Sequence, residues 1–140
     1  MLWRELCAPR LRPGPGPGAL PGRPDRLALV ERFAGRAPKA LLESGAGTGE
    51  TATFLAAAGC RVTALDISEK NFAPLCRIAE IYPAVTAIRG DYFTDPVAGK
   101  FVAVCLFETF GMGADREQRS RSGKMCTPGR SKSLILFYAI

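Results

Sequence analysis

Short apolar runs recur through the middle of the chain, and each stops at an acidic or glycine-bearing turn. Ala40, Leu41 and Leu42 run into Glu43; residues 60–65 (CRVTAL) run into Asp66; residues 84–88 run into Arg89-Gly90-Asp91; residues 101–107 are apolar throughout and precede Glu108. Between these runs the spacing of apolar positions changes to that of helices. Leu27, Val30, Phe33 and Ala34 share one face of a helix over 26–34, and Phe54, Leu55 and Ala58 share one face of a helix over 50–58. Leu75, Ile78, Ala79 and Tyr82 share the inner face of a third. Asp25 is placed to cap the first helix and Gly35 to end it; Gly59 closes the second, and Ser68 is placed to cap the third. Pro74 is awkward inside that third helix, because an interior proline removes a hydrogen bond at a cost of about 3 kcal/mol. A start near Asn71 puts Pro74 in the first turn, where it is tolerated. Strands alternating with helices predict a parallel sheet with helices against it, and the unbroken apolar run 101–107 suits a strand buried on both faces.

The connection after the first strand carries the candidate chemistry. Residues 39–51 read KALLESGAGTGET: a short apolar strand, an acid, Gly45, Gly47 and Gly49 at alternate positions, then a helix. Glycine is needed where the backbone takes positive φ and where a ligand must approach with no Cβ in the way. The helix beginning near Gly49 offers free N–H groups and a partial positive charge. This is the layout of a nucleotide-binding loop. A dinucleotide fingerprint, G-x-G-x-x-G, has a third glycine that lets helix and strand pack closely, and it seats a pyrophosphate on the helix N-terminus. Here that position is Glu50, whose charge would repel a pyrophosphate. Seventeen residues beyond Gly49 the second strand ends in Asp66, placed as the ribose-binding acid of nucleotide folds is, about twenty residues on from the loop.

The spacing E-x-G-x-G-x-G over 43–49, with Asp66 behind it, resembles motif I of the class I S-adenosylmethionine-dependent methyltransferases. The resemblance extends over residues 25–114. It implies a Rossmann-like α/β fold, a parallel sheet with flanking helices in the strand order 3-2-1-4, with residues 133–140 as the candidate fifth strand. It implies S-adenosylmethionine as cofactor. Glu43 would lie near the methionine part, with Gly45, Ala46, Gly47 and Gly49 passing under it; Asp66, with Ile67 beside it, would bind the ribose. Asp91 would bond the adenine amino group, and the backbone and ring of Tyr92 would line the adenine pocket; a plain polar turn is the alternative for these two. Phe107, at the carboxyl end of the fourth strand, completes the implied contacts. Ligands of open α/β sheets bind beyond the carboxyl ends of the strands, so Glu108, Thr109 and Phe110 would face the methyl group and its acceptor. Glu108 is the catalytic candidate, able to accept a proton from an acceptor hydroxyl or amine. Methyl transfer from a sulfonium is an in-line displacement in which the cofactor carries the reactivity and the protein aligns the partners. That suits a chain with no histidine. One departure stands inside the region: Val102 occupies a position where many members carry an acid.

The flanks differ in kind. Residues 13–24 (PGPGPGALPGRP) hold nine Pro or Gly in twelve, a composition that cannot bury enough apolar surface to offset ordering. The expected organisation is therefore a disordered Pro/Gly-rich segment over 1–24, the cofactor-binding core over 25–114, and an atypical basic tail over 115–140. Residues 115–124 contain no apolar residue where the family has an amphipathic helix. Thr127-Pro128-Gly129 resembles the turn before a fifth strand. The family's last two strands are missing, which makes a truncated or frame-altered product the expectation. The net charge of +6 divides unevenly. Residues 1–26 carry five basic and two acidic residues, 115–140 six and two, and 27–114 eight and nine. The basicity thus belongs to the tails, where solvation is the plain role and electrostatic contact with nucleic acid the alternative.

Cys7, Cys60, Cys76, Cys105 and Cys126 form no C-x-x-C pair and suggest neither a disulfide framework nor a metal site. A cytoplasmic location fits them. The longest C-terminal apolar run, 134–140, is far short of the ~20 residues of a spanning helix, so no membrane partner is expected. The expected partner is a small-molecule acceptor. Two other functions stay open at this point: a non-catalytic cofactor-binding remnant, and a nicotinamide-dependent oxidoreductase, which Glu50 disfavours.

Overall fold

A computed structural model of the chain describes residues 24–36, 39–107, 120–121, 124 and 134–138. In chain order its elements are α1 (Pro24–Ala34), β1 (Ala40–Ser44), α2 (Glu50–Ala57), β2 (Arg61–Asp66), α3 (Glu69–Ile81), β3 (Val85–Arg89), β4 (Ala103–Phe107) and β5 (Leu134–Tyr138). All strand pairings are parallel, in the order β3-β2-β1-β4-β5. This is the predicted Rossmann-like order, with the fifth strand added beside β4. The register brings Ser44 opposite Leu65 and Asp66 opposite Arg89. The first three strands therefore end level with one another, and the loops that follow them leave the sheet along one edge.

The pleat sends alternate side chains to opposite faces of the sheet. One face collects Leu41, Val62, Ala64, Val85, Ala87, Ala103, Cys105 and Phe107, packed against Val30 of α1, Ala52 and Leu55 of α2, and Leu75 of α3. The other collects Leu42, Leu65, Ile88, Val104 and Leu106, covered by Tyr92 and Phe101. Helices α1, α2 and α3 thus pack on one face, and the irregular connection over 90–102 covers the other. The fully buried leucines each contribute about 1.5–3 kcal/mol relative to an exposed position.

Helix α1 starts before the predicted residue. Pro24 takes its first position, where a missing N–H is harmless, so Asp25 lies inside the helix rather than at its cap. Gly35 closes it as expected, donating its N–H to the Glu31 carbonyl at 2.9 Å. Leu27 and Ala34 pack against the core as predicted. Arg26 was not anticipated: it is 5% exposed. Its Nη1 donates to Thr51 Oγ1 of α2 at 2.5 Å, and its guanidinium sits 4.9 Å from the centre of the Phe107 ring. A stacked, planar cation of this kind stabilises by roughly 0.5–2 kcal/mol, and here it joins α1 to α2 and to the end of β4.

Helix α3 begins at Glu69, directly after Ser68. The Asn71 and Phe72 N–H groups both donate to the Ser68 carbonyl, at 3.2 and 3.1 Å. The first turn therefore closes earlier than a start at Asn71 allows, and Pro74 lies inside the helix. Ser68 holds the cap position without a side-chain cap bond. Burial of the neighbouring Leu75, 0% exposed, offsets the lost backbone bond.

Cys60 and Cys105 are free and buried. Burial pushes the Cys60 thiol above its usual range, and the nearby Glu31 adds to the shift; it acts as a small core residue. Cys76 is disulfide-bonded, which the cysteine spacing did not predict. Among the described residues no helix is long and apolar enough to cross a membrane. Residues 1–23, 115–119 and the Thr127-Pro128-Gly129 turn lie outside the described residues.

Replacing Pro74 by Ala restores a helical N–H without removing a large core group. It is expected to raise the unfolding free energy by about 1–3 kcal/mol, measured by urea denaturation with an unchanged slope. A loss of stability would mean that the proline ring, not the missing bond, dominates at this site.

Candidate functional site

The loop after β1 is held by the end of β2. Gly45 and Ala46 both donate their N–H groups to the Leu65 carbonyl, at 2.8 and 3.0 Å. Gly47 donates its N–H to Asp66 Oδ2 at 2.7 Å. The other oxygen of the same carboxylate, Oδ1, accepts the Ser68 N–H at 2.8 Å. One side chain thus fixes both the glycine loop and the turn into α3. Asp66 is 8% exposed, and each of its oxygens keeps a further lone pair for a ligand.

Two glycines in the loop are required for different reasons. Gly49 has φ +92°, and a Cβ there would come within 2.9 Å of Leu75 Cδ1 and 3.1 Å of Ile78 Cγ1. Its bareness lets α3 pack against the start of α2. Gly47 has φ +60°, and a Cβ there would meet nothing within 4 Å. Its bareness leaves open space over the loop.

That space is part of a cavity of about 510 Å³. Ser44, Gly45 and Gly47 come from β1 and its loop, Leu65, Asp66, Ile67 and Ser68 from the end of β2, and Asn71 from α3. Gly90, Asp91, Tyr92 and Phe93 follow β3, and Leu106 comes from β4. The wall after β3 is built by its own hydrogen bonds. Asp91 Oδ1 accepts the Phe93 N–H at 2.8 Å, and the Asp91 N–H donates to Asp95 Oδ2 at 2.7 Å. Gly90 is needed beneath this turn, since a Cβ there would lie 2.9 Å from Asp95 Oδ2. Tyr92 and Phe93 meet edge to face, with ring centroids 5.3 Å apart.

Of the cofactor-binding residues predicted from the sequence, Gly45, Gly47, Asp66, Ile67, Asp91 and Tyr92 are brought together around this cavity. Glu43, Ala46, Gly49 and Phe107 are not part of its lining. Alternation along the strands accounts for two of these. Leu41 and Glu43 point to the helix-covered face while Leu42 and Ser44 point to the other, so Ser44 lines the cavity and Glu43, 2% exposed, is buried behind it. For the same reason Leu106 lines it while Phe107 packs under Arg26. Ala46 is buried in the core, and Gly49 abuts α3. Glu108 lies outside the described residues.

Sequence reasoning passed over Ser44, Leu65, Ser68, Asn71, Gly90, Phe93 and Leu106. The period-two pattern was the available signal for Ser44 and Leu106. Asn71 carries no signal beyond its place in the first turn of α3, which starts at Glu69 rather than at Asn71.

Chemically the cavity offers a hydrogen-bonding carboxylate at one side, a bare backbone floor, and apolar or aromatic walls from Ile67, Leu65, Leu106, Tyr92 and Phe93. Its volume falls in the range of about 300–1,000 Å³ typical of small-ligand sites. Among the described residues no cluster of His, Cys, Asp or Glu could hold a metal ion.

A family model of the methyltransferase domain matches residues 41–126, more than half of the chain. A comparison with curated proteins gave no match. Solved structures with the same fold include the glycopeptide N-methyltransferase MtfA in complex with S-adenosyl-L-methionine. It is 20% identical with a TM-score of 0.63, over 77% of this chain and 47% of that one. A phosphoethanolamine N-methyltransferase of Haemonchus contortus, in complex with phosphomonomethylethanolamine and S-adenosylhomocysteine, is 21% identical with a TM-score of 0.67, over 76% and 26%. Coclaurine N-methyltransferase, bound to N-methylheliamine and S-adenosylhomocysteine, is 20% identical with a TM-score of 0.62, over 74% and 32%. At these identities the likeness establishes a shared fold. The chain spans about half the length of MtfA and about a quarter to a third of the other two.

The two loop glycines should respond differently to the same substitution. Gly49→Ala meets both positive φ and the Leu75 and Ile78 side chains, and is expected to cost about 2 kcal/mol or more. Gly47→Ala meets only the backbone penalty of about 1 kcal/mol. Urea denaturation of both variants checks the order, and a larger loss for Gly47→Ala would contradict this account of the loop.

Proposed function

This chain belongs to the methyltransferase-domain family, and on that premise we propose that its cavity binds S-adenosylmethionine and that the chain takes part in methyl transfer to a small-molecule acceptor. The observation that carries the reading is Asp66. Its carboxylate faces the cavity at the end of β2 while its two oxygens hold Gly47 and Ser68. A ribose with two adjacent hydroxyls suits a carboxylate with one further lone pair on each oxygen. The residues present fit the remainder of such a ligand. The open face of Gly47 gives room for close approach, and Ile67, Tyr92 and Phe93 offer apolar surface for an adenine ring. Asp91 stands at the edge of that surface, where it can accept from the ring's amino group.

When bound, the cofactor supplies an electrophilic methyl group on a sulfonium. What this chain supplies is alignment. The loop and Asp66 orient the nucleoside, the aromatic wall after β3 excludes water from one side, and Leu106 at the end of β4 faces the same cavity. Glu108 follows β4 directly and is the proposed acceptor of a proton from the substrate. The small-molecule class of acceptor is supported by the named structures, which are N-methyltransferases of a glycopeptide, phosphoethanolamine and coclaurine.

Calorimetric titration with S-adenosylhomocysteine tests the binding claim. Wild-type protein should bind it, and Asp66→Ala should bind at least about tenfold more weakly, as expected when charge-assisted hydrogen bonds are lost. No heat from folded wild-type protein, or equal affinity in Asp66→Ala, would overturn it. For the chemical step, Glu108→Gln should lower kcat in a radiolabelled methyl-transfer assay on small amines while leaving S-adenosylhomocysteine affinity unchanged; an unchanged kcat would remove Glu108 from the mechanism.

A further inference from the structure

We propose that Arg121 is a positioning residue for the cavity: it clamps the aromatic wall after β3 from outside. The proposal rests on the S-adenosylmethionine reading for its ligand, though not for the clamp itself. Arg121 lies in the basic stretch that looked, from sequence, like a solvated tail. It is instead half-buried, and it reaches back to the connection between β3 and β4. Its Nε donates to the Tyr92 carbonyl at 3.1 Å, and its Nη2 donates to the Asp95 carbonyl.

The two acceptors bracket the turn that forms the wall. The Asp91–Phe93 and Asp91–Asp95 bonds tie the same turn to the residue before it, and the Tyr92 ring packs on Phe93. A second contact, donated from the connection this time, is Lys100 Nζ to the Lys124 carbonyl at 2.5 Å. Two independent links therefore dock Arg121 and Lys124 on the connection that covers the Leu42, Val104 and Leu106 face of the sheet.

The chemistry favours arginine here. A guanidinium presents several N–H donors in a fixed plane, so one side chain can hold two carbonyls at a set separation, whereas lysine presents a single flexible point. Backbone carbonyls at the end of a turn otherwise face water, and the turn is then free to sample other conformations. Fixing both carbonyls fixes where the Tyr92 and Phe93 side chains stand relative to Asp66 and Ile67 across the cavity. Arg121 does not itself line the cavity; it holds the backbone of Tyr92, which does, so its effect on a ligand passes through the wall. The part of the ligand it governs is the flat, apolar end, the adenine.

The test uses the full chain and its Arg121→Ala and Arg121→Lys variants, with two readouts. Hydrogen exchange of the free protein is followed for residues 91–97, with the β1 and β2 amides as internal control. Affinities for S-adenosylhomocysteine and for adenosine are then measured by titration. Arg121→Ala should speed exchange in 91–97 while leaving β1 and β2 unchanged. It should weaken both ligands by a similar factor of about ten, in line with the loss of charge-assisted hydrogen bonds, and Arg121→Lys should fall between it and wild type. Unchanged exchange in 91–97 of either folded variant overturns the clamp. Unchanged affinity for both ligands, with faster exchange, overturns its role in binding. If wild-type protein binds neither ligand, the S-adenosylmethionine reading fails, and the exchange comparison alone decides whether Arg121 holds the wall. Should Arg121→Ala not fold, Arg121→Lys carries the same comparison.

Discussion

The site depends on one carboxylate. Asp66 ends β2 and accepts N–H groups from Gly47 and from Ser68, so it joins the loop after β1 to the turn before α3. Beside it the Leu65 carbonyl takes the N–H groups of Gly45 and Ala46. Without these bonds, a run of three alternating glycines would be among the most mobile segments of the chain, since each glycine loses much conformational freedom on ordering. With them, the loop is set against the neighbouring strand and the backbone is presented bare to the cavity. The same side chain that builds the loop also lines the cavity, so a substitution there alters both the loop and the cavity wall.

Much of the fold was legible in the residues. The runs ending at Glu43, Asp66 and Glu108 and the helical spacing between them yield the parallel sheet; its order, with the candidate fifth strand, is what the resemblance of the glycine loop implies. The reason is physical: strands buried in a parallel sheet must be continuously apolar, and connections must turn on glycine. The site was legible where chemistry and spacing coincide, as at Gly45, Gly47 and Asp66. It was less legible where the outcome turns on which face a side chain takes. Glu43 drew attention because it is charged, yet the pleat turns it toward the helices and gives Ser44 to the cavity. Phe107 and Leu106 exchange places in the same way. A one-residue question of parity is hard to settle on a strand apolar at every position.

Long-range pairings were not legible at all. Nothing in the spacing of Arg26 marks it as a buried cation stacked on Phe107. Nothing in the polar stretch around Arg121 marks it as a partner for Tyr92 and Asp95. In both cases a basic residue looked like surface charge, and tertiary contacts far along the chain gave it a structural task. Pro74 is a milder instance: local preference favoured a later helix start, and packing through Leu75 kept the longer helix. The cavity wall after β3 comes from the irregular connection over 90–102, the less regular half of the cavity. That irregularity is why its stability rests on side-chain bonds such as those of Asp91, Asp95 and Arg121.

The central claim is that a nucleoside sits between the Gly47 loop, Asp66 and the Tyr92–Phe93 wall. Amide-resolved NMR of uniformly ¹⁵N-labelled protein, titrated with S-adenosylhomocysteine, tests that location most directly. The account predicts saturable shifts at Gly45, Gly47, Ile67, Ser68 and Asp91–Phe93, with the amides of α1 and the buried middle of β3 left in place. Shifts absent from these positions, or concentrated elsewhere in a folded protein, would contradict it.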